Sequence, residues 1–204
     1  MYQFRKLTAF FSALVMAVTL TGCMSNGPSV AEEDLPYGAT MRESKTTFAL
    51  PVSYDRRFLN DAQITAITDY LSSIQNCDGE AYANNTIDFY ADYQLNEVYQ
   101  DTYETFDEML ADMHTSIANS TADDFQFNMI TVTGFSQERV SSGMNTMIEL
   151  LADISGNADF EQTLTNCWTV RMDWMIRYNG SSTAIVEDRL IYLFEIEGEY
   201  YCVM

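Results

Sequence analysis

From residue 60 onward, two spacings of apolar residues take turns along the chain, one helical and one extended. Asn60 and Asp61 are helix N-cap residues, and Ile64, Ile67, Leu71 and Ile74 follow at three- and four-residue steps. Side chains at those steps share one side of a helix, which predicts a buried helix ending between Asn76 and Gly79. A Tyr-rich stretch with Tyr82, Phe89, Tyr90 and Tyr93 comes next. Leu95, Val98, Tyr99, Phe106, Met109, Leu110, Met113 and Ile117 then fall on one side of a longer predicted helix over 95–116. Phe125, Phe127, Met129, Thr131 and Thr133 alternate with polar or smaller residues and predict a strand over 125–135. Ser141 and Ser142 are caps for a third helix with Met144, Met147, Ile148 and Leu151 as its buried stripe, ending by Gly156.

The last forty residues alternate at period two. Trp168, Val170, Met172, Trp174, Ile176 and Tyr178 interleave with Thr169, Arg171, Asp173 and Arg177. That is a strand with one apolar and one charged face. Asn179-Gly180 is a hairpin signal, Ile185 to Ile196 forms the return strand, and Glu197-Gly198 turns the chain into Glu199 to Val203. The chain thus ends in a three-strand antiparallel meander. A two-residue turn at Asn179-Gly180 sets Arg171 opposite Asp188, and a three-residue turn sets it opposite Arg189; the pattern leaves both registers open. Arg171, Asp173, Glu187 and Arg189 are expected to form a charged ladder on the outer sheet face.

The first residues follow a different logic. Arg5 and Lys6 precede a run of about 14 mostly apolar residues, Leu7 to Leu20, and then the small residues Thr21 and Gly22 before Cys23. The run is too short to cross a hydrocarbon core of roughly 30 Å as a helix. Leu20-Thr21-Gly22-Cys23 resembles the lipobox of bacterial lipoproteins. The resemblance implies cleavage before Cys23, attachment of diacylglycerol to its thiol, and an extracytoplasmic protein anchored to a bacterial membrane by fatty acids such as palmitate. One acyl chain anchors only reversibly, whereas two or more hold stably. Met24 in place of Asp implies that a two-membrane cell does not retain the protein at its inner membrane. Gly27-Pro28, Glu32-Glu33-Asp34, Pro36 and Gly38 break any periodicity, so the chain divides into a signal peptide (1–22), a flexible tether (23–46) and one α+β domain (47–204).

Charge and cysteines narrow the function. The chain is 47% hydrophobic, enough for a core, and carries a formal charge of −20 that grows more negative once Arg5 and Lys6 are removed. Such a surface repels phosphate backbones, which counts against nucleic acid as a partner. Cys77, Cys167 and Cys202 remain beside the lipidated Cys23, so at most one internal disulfide forms; the sequence does not choose it. No metal-ligand spacing is present, and no metal or cofactor is expected. Glu97, Asp101, Glu104, Glu108 and Asp112 crowd one side of the predicted second helix and read as a solvated face.

Helix, helix, strand, helix and a closing meander through Glu197-Gly198-Glu199-Tyr200-Tyr201 resemble the nuclear transport factor 2-like superfamily. That resemblance implies a cone-shaped fold, with two or three helices against a bent antiparallel sheet and a pocket at its open end. Trp168, Met172, Trp174 and Tyr178 are then the candidate pocket lining. The expected role is a binding module for a small apolar ligand or an envelope protein. The alternatives are an isomerase- or dehydratase-like enzyme with a pocket acid or base, and a lipoprotein that self-associates as a homodimer through the sheet. His114 is the sole histidine, and no nucleophile elbow, phosphate loop or zinc-protease motif is present, so catalytic residues stay unassigned.

Overall fold

The apolar face of the Trp168 strand buries as its alternation predicts. The computed structural model describes residues 31–118, 126–137, 142–178 and 182–204, without the side chains of Glu33, Ile117, Ala118 and Tyr178. The signal peptide, the lipobox with Cys23, the first part of the tether, Phe125, Ser141 and the Asn179-Gly180 turn lie outside these residues. The turn Glu32–Asp34 belongs to a unit of its own that ends at Asp34, and Leu35 to Met204 form a second, compact unit.

That second unit is α+β, with a six-stranded mixed sheet. Strands β1 (Met41–Ser44), β2 (Val52–Asp55), β3 (Gln126–Ser136), β4 (Leu164–Tyr178), β5 (Ser182–Ile196) and β6 (Glu199–Val203) lie side by side in chain order. All neighbours are antiparallel except β2 and β3, which pair Val52 with Ile130 in parallel. The parallel pair follows from the long helical crossover between them. It holds α1 (Asp61–Asn76), α2 (Gly79–Asn85), α3 (Asp88–Tyr93) and α4 (Phe106–Ala118). Helices α5 (Ser142–Ser155) and α6 (Phe160–Thr163) separate β3 from β4.

Both sheet faces are covered. On one face Ile64, Ile67, Leu71 and Ile74 of α1 pack with Val170, Met172, Trp174 and Ile176 of β4, as their spacing predicts. Asn60 starts α1 with a reciprocal capping box, accepting from Gln63 N while Gln63 Oε1 accepts from Asn60 N, both at 2.9 Å. On the other face Met144, Ile148 and Leu151 of α5 pack with Phe160, Leu164, Cys167 and Phe194. Thr86 Oγ1 ties the α2–α3 link to β6 by donating to Cys202 O at 2.6 Å. Glu197 and Gly198, at φ 54° and 89°, make the two-residue turn between β5 and β6 that right-handed strand twist favours.

Three expectations are corrected. The helix over 95–116 is absent as one piece: the chain makes a π-turn over Gln94–Val98, bends through Asp101 at φ 62°, and restarts as α4. Val98 and Tyr99 are exposed. The restart carries its own cap: Glu108 N donates to Thr105 Oγ1 at 3.3 Å, and Glu108 Oε2 accepts from Glu104 N at 2.8 Å. A second correction concerns β3, whose buried residues are Phe127, Ile130 and Val132 instead of one alternating set through Thr133. A register shift between Phe127 and Met129 inserts Asn128 as an extra residue and reverses which side chains face inward. The third concerns the tether, which was expected to reach residue 46 but is docked from Leu35 onward.

One buried ion pair accounts for that docking. Asp55 is fully buried, and Arg57 clasps it through Nε at 3.0 Å and Nη2 at 2.7 Å. The same guanidinium donates to Leu35 O at 2.8 Å and Pro36 O at 2.7 Å. Gly38 N and Thr40 Oγ1 donate to the Asp55 carboxylate at 2.9 and 2.6 Å. Tyr37 then reaches across to Val132 O at 3.0 Å. The Arg57 guanidinium, helped by these donors, holds the Asp55 carboxyl well below the usual carboxylate range against the opposing effect of burial.

Asp55→Ala is expected to lower unfolding free energy at pH 7 by about 3–5 kcal/mol, because it takes the buried carboxylate away from the Arg57 guanidinium and from Gly38 N and Thr40 Oγ1. A depressed folded-state pKa contributes stability that is present above the unfolded value, near pH 4, and lost as pH falls below it. Urea titrations from pH 7 to pH 2 are expected to show that acid loss in the parent chain and a weaker one in Asp55→Ala.

Candidate functional site

A cleft of about 560 Å³ opens between α4 and the paired strands β4 and β5. Met113 of α4 faces Trp174 and Ile176 of β4, and Ala184, Val186, Glu187 and Arg189 of β5 complete the wall with Met204. Its volume lies within the range of about 300–1,000 Å³ of small-molecule sites, and its walls are mostly apolar.

A β-bulge gives the cleft its polar groups. Strand pairing runs Tyr178 to Ser182, Ile176 to Ala184 and Trp174 to Val186, then resumes as Met172 to Arg189 and Arg171 to Leu190. Between these, Asp173 of β4 faces two residues of β5, Glu187 and Asp188. Asp188 takes φ 54°, a left-handed value Asp tolerates better than most residues, and its N–H donates to Asp173 Oδ1 at 2.9 Å. Neither open register for Arg171 is found, because the bulge makes Leu190 its partner. The guanidinium still reaches Asp188 diagonally, with Nη1 at 2.6 Å from Oδ1.

The bulge also overturns the expected outer ladder. One extra residue flips side-chain direction beyond it, so Arg189 joins the face of Trp174, Ile191 and Leu193. Its guanidinium carbon sits 5.1 Å from the Trp174 ring centroid, a cation–π contact worth about 0.5–2 kcal/mol. Trp174 is fully buried beneath it, with Phe127 edge-on at 5.5 Å on another side. The indole Nε1 has no hydrogen-bond partner among the described residues.

The four candidate lining residues part company. Trp174 lines the cleft. Met172 is fully buried in the core, and Trp168 is buried beside Tyr200, its ring 6.0 Å away. The Tyr178 side chain lies outside the described residues. Arg189 is the site residue that alternation alone misses. The sequence hides it: Ala184-Ile185-Val186 before the bulge and Leu190-Ile191 after it are apolar at both parities.

The cysteines and His114 assemble no nucleophile. No disulfide joins Cys77, Cys167 and Cys202 to one another. Cys167 and Cys202 pack on opposite sheet faces, which keeps them from bridging. Cys77 Sγ lies 4.0 Å from His114 Nδ1, but that nitrogen is 3.1 Å from Gln75 O, where it donates and so cannot accept a thiol proton. Burial pushes the Cys77 thiol up and holds His114 below its usual value. A reactive thiol needs the opposite shift. Among the described residues no group of His, Cys, Asp or Glu is placed to hold a metal ion, and no helix is long and apolar enough to cross a membrane.

Comparison with protein-family models, with curated proteins and with solved structures finds no match to this chain.

Proposed function

We propose that this chain is a bacterial envelope lipoprotein, anchored outside the cytoplasm through acylated Cys23, whose domain is a binding module for a small, largely apolar ligand. The observation that carries the binding reading is the cleft itself, walled by Met113, Trp174, Ile176, Ala184 and Val186. The anchoring reading rests on Leu20-Thr21-Gly22-Cys23 after a basic start and an apolar run. A nuclear transport factor 2-like domain is part of the same proposal. It draws support from the helix between β3 and β4 and from the long β4–β5–β6 meander closing on Glu197-Gly198-Glu199-Tyr200-Tyr201.

Catalysis draws less support. The cleft's carboxylate is Glu187, which is exposed. A general acid or base needs enclosure and a fixed approach to its substrate.

Two outcomes test the proposal. Growth with labelled palmitate is expected to mark the chain and to leave Cys23→Ser unmarked and released from the membrane fraction; an unmarked parent chain contradicts the anchor. Calorimetric titration with neutral 2-naphthamide is expected to show saturable binding that is lost in Val186→Trp, where a large ring fills the cleft. Binding that survives in Val186→Trp, or none in the parent chain, contradicts the binding module.

A further inference from the structure

We infer that the cleft selects small organic anions, specifically monocarboxylates, and that Arg189 clasps the carboxylate while the apolar walls take the body. This deepens the binding reading above and rests on it.

Charge placement argues for it. Arg42, Lys45, Arg57 and Arg171 each pair with a carboxylate, Asp61, Glu43, Asp55 and Asp188 in turn, and Arg177 bonds Gln126. By contrast, no carboxylate pairs with Arg189 among the described residues, in a chain with 30 acidic residues and 10 basic ones. Arg189 is half-buried, and its neighbour in the cleft wall, Glu187, is exposed. A partly desolvated guanidinium without a counter-charge is costly unless an anion completes it, and its planar fork matches a carboxylate with two parallel hydrogen bonds.

Beneath Arg189, Trp174 Nε1 is a buried donor with no hydrogen-bond partner among the described residues. One guanidinium suits one negative charge. A phosphate monoester carries about two and would also meet Glu187, which makes a carboxylate the better match.

The test compares two isosteres by calorimetry at neutral pH, 2-naphthoate and 2-naphthamide. The parent chain is expected to bind naphthoate at least about tenfold more tightly, the scale of a charge-assisted bidentate contact. Arg189→Gln is expected to abolish that preference, with a circular-dichroism spectrum and melting transition like the parent chain's to certify that the variant is folded. Glu187→Gln is expected to tighten naphthoate and not naphthamide, an independent arm should Arg189→Gln lose its fold. Equal affinities in the parent chain overturn the inference and leave the apolar cleft standing. So does naphthoate binding undiminished in Arg189→Gln, or no gain in Glu187→Gln. Loss of naphthamide binding in the parent chain removes the binding reading and this inference together.

Discussion

A strand can turn only alternate side chains to the same face, and this sheet obeys that rule by changing phase. Helices α1, α2 and α4 cover one face and α3, α5 and α6 the other, so each strand must present apolar residues at the right parity. β4 does so from Trp168 to Ile176 on the α1 side. β5 meets the rule in two halves that are out of phase, joined at Glu187-Asp188. The left-handed Asp188 and its hydrogen bond to Asp173 hold the change of phase. Without it, Ile191 and Leu193 would leave the core and Arg189 would turn to the outer face.

The polar chemistry of the cleft follows from the same extra residue. Arg189 is carried over Trp174, where it is partly withdrawn from water. Arg171 keeps a carboxylate partner, Asp188, on the exposed side. Two arginines near one another along the hairpin thus have different surroundings. An exposed pair such as Arg171–Asp188 contributes about 1 kcal/mol at most, whereas the half-buried Arg189 has no carboxylate partner among the described residues.

Much of the fold was legible in the residues. Asn60, the Ile64–Ile74 steps, the Met144–Leu151 stripe and the Trp168–Ile176 alternation each mark an element found in place, because one-sided burial leaves a simple period. The failures have physical causes too. The apolar spacing from Leu95 to Ile117 suits a single helix, but the Thr105–Glu108 cap starts a new one, and Thr-x-x-Glu was there to be read. Leu35 to Ser44 looks like a linker by composition, since its anchor is a carboxylate and an arginine further along, Asp55 and Arg57. In the cleft, Trp174 was legible from alternation. Arg189 was not, because a strict period of two places it outside, and apolar residues at both parities on either side of Glu187-Asp188 hide the bulge.

The account stands or falls on the pairing of β4 with β5. Cross-strand nuclear Overhauser contacts in the isotopically labelled protein read that pairing residue by residue. Contacts joining Trp174 to Val186, Met172 to Arg189 and Arg171 to Leu190 are predicted. An unbroken ladder that joins Trp174 to Val186, Met172 to Asp188 and Arg171 to Arg189 would contradict it and take Arg189 out of the cleft.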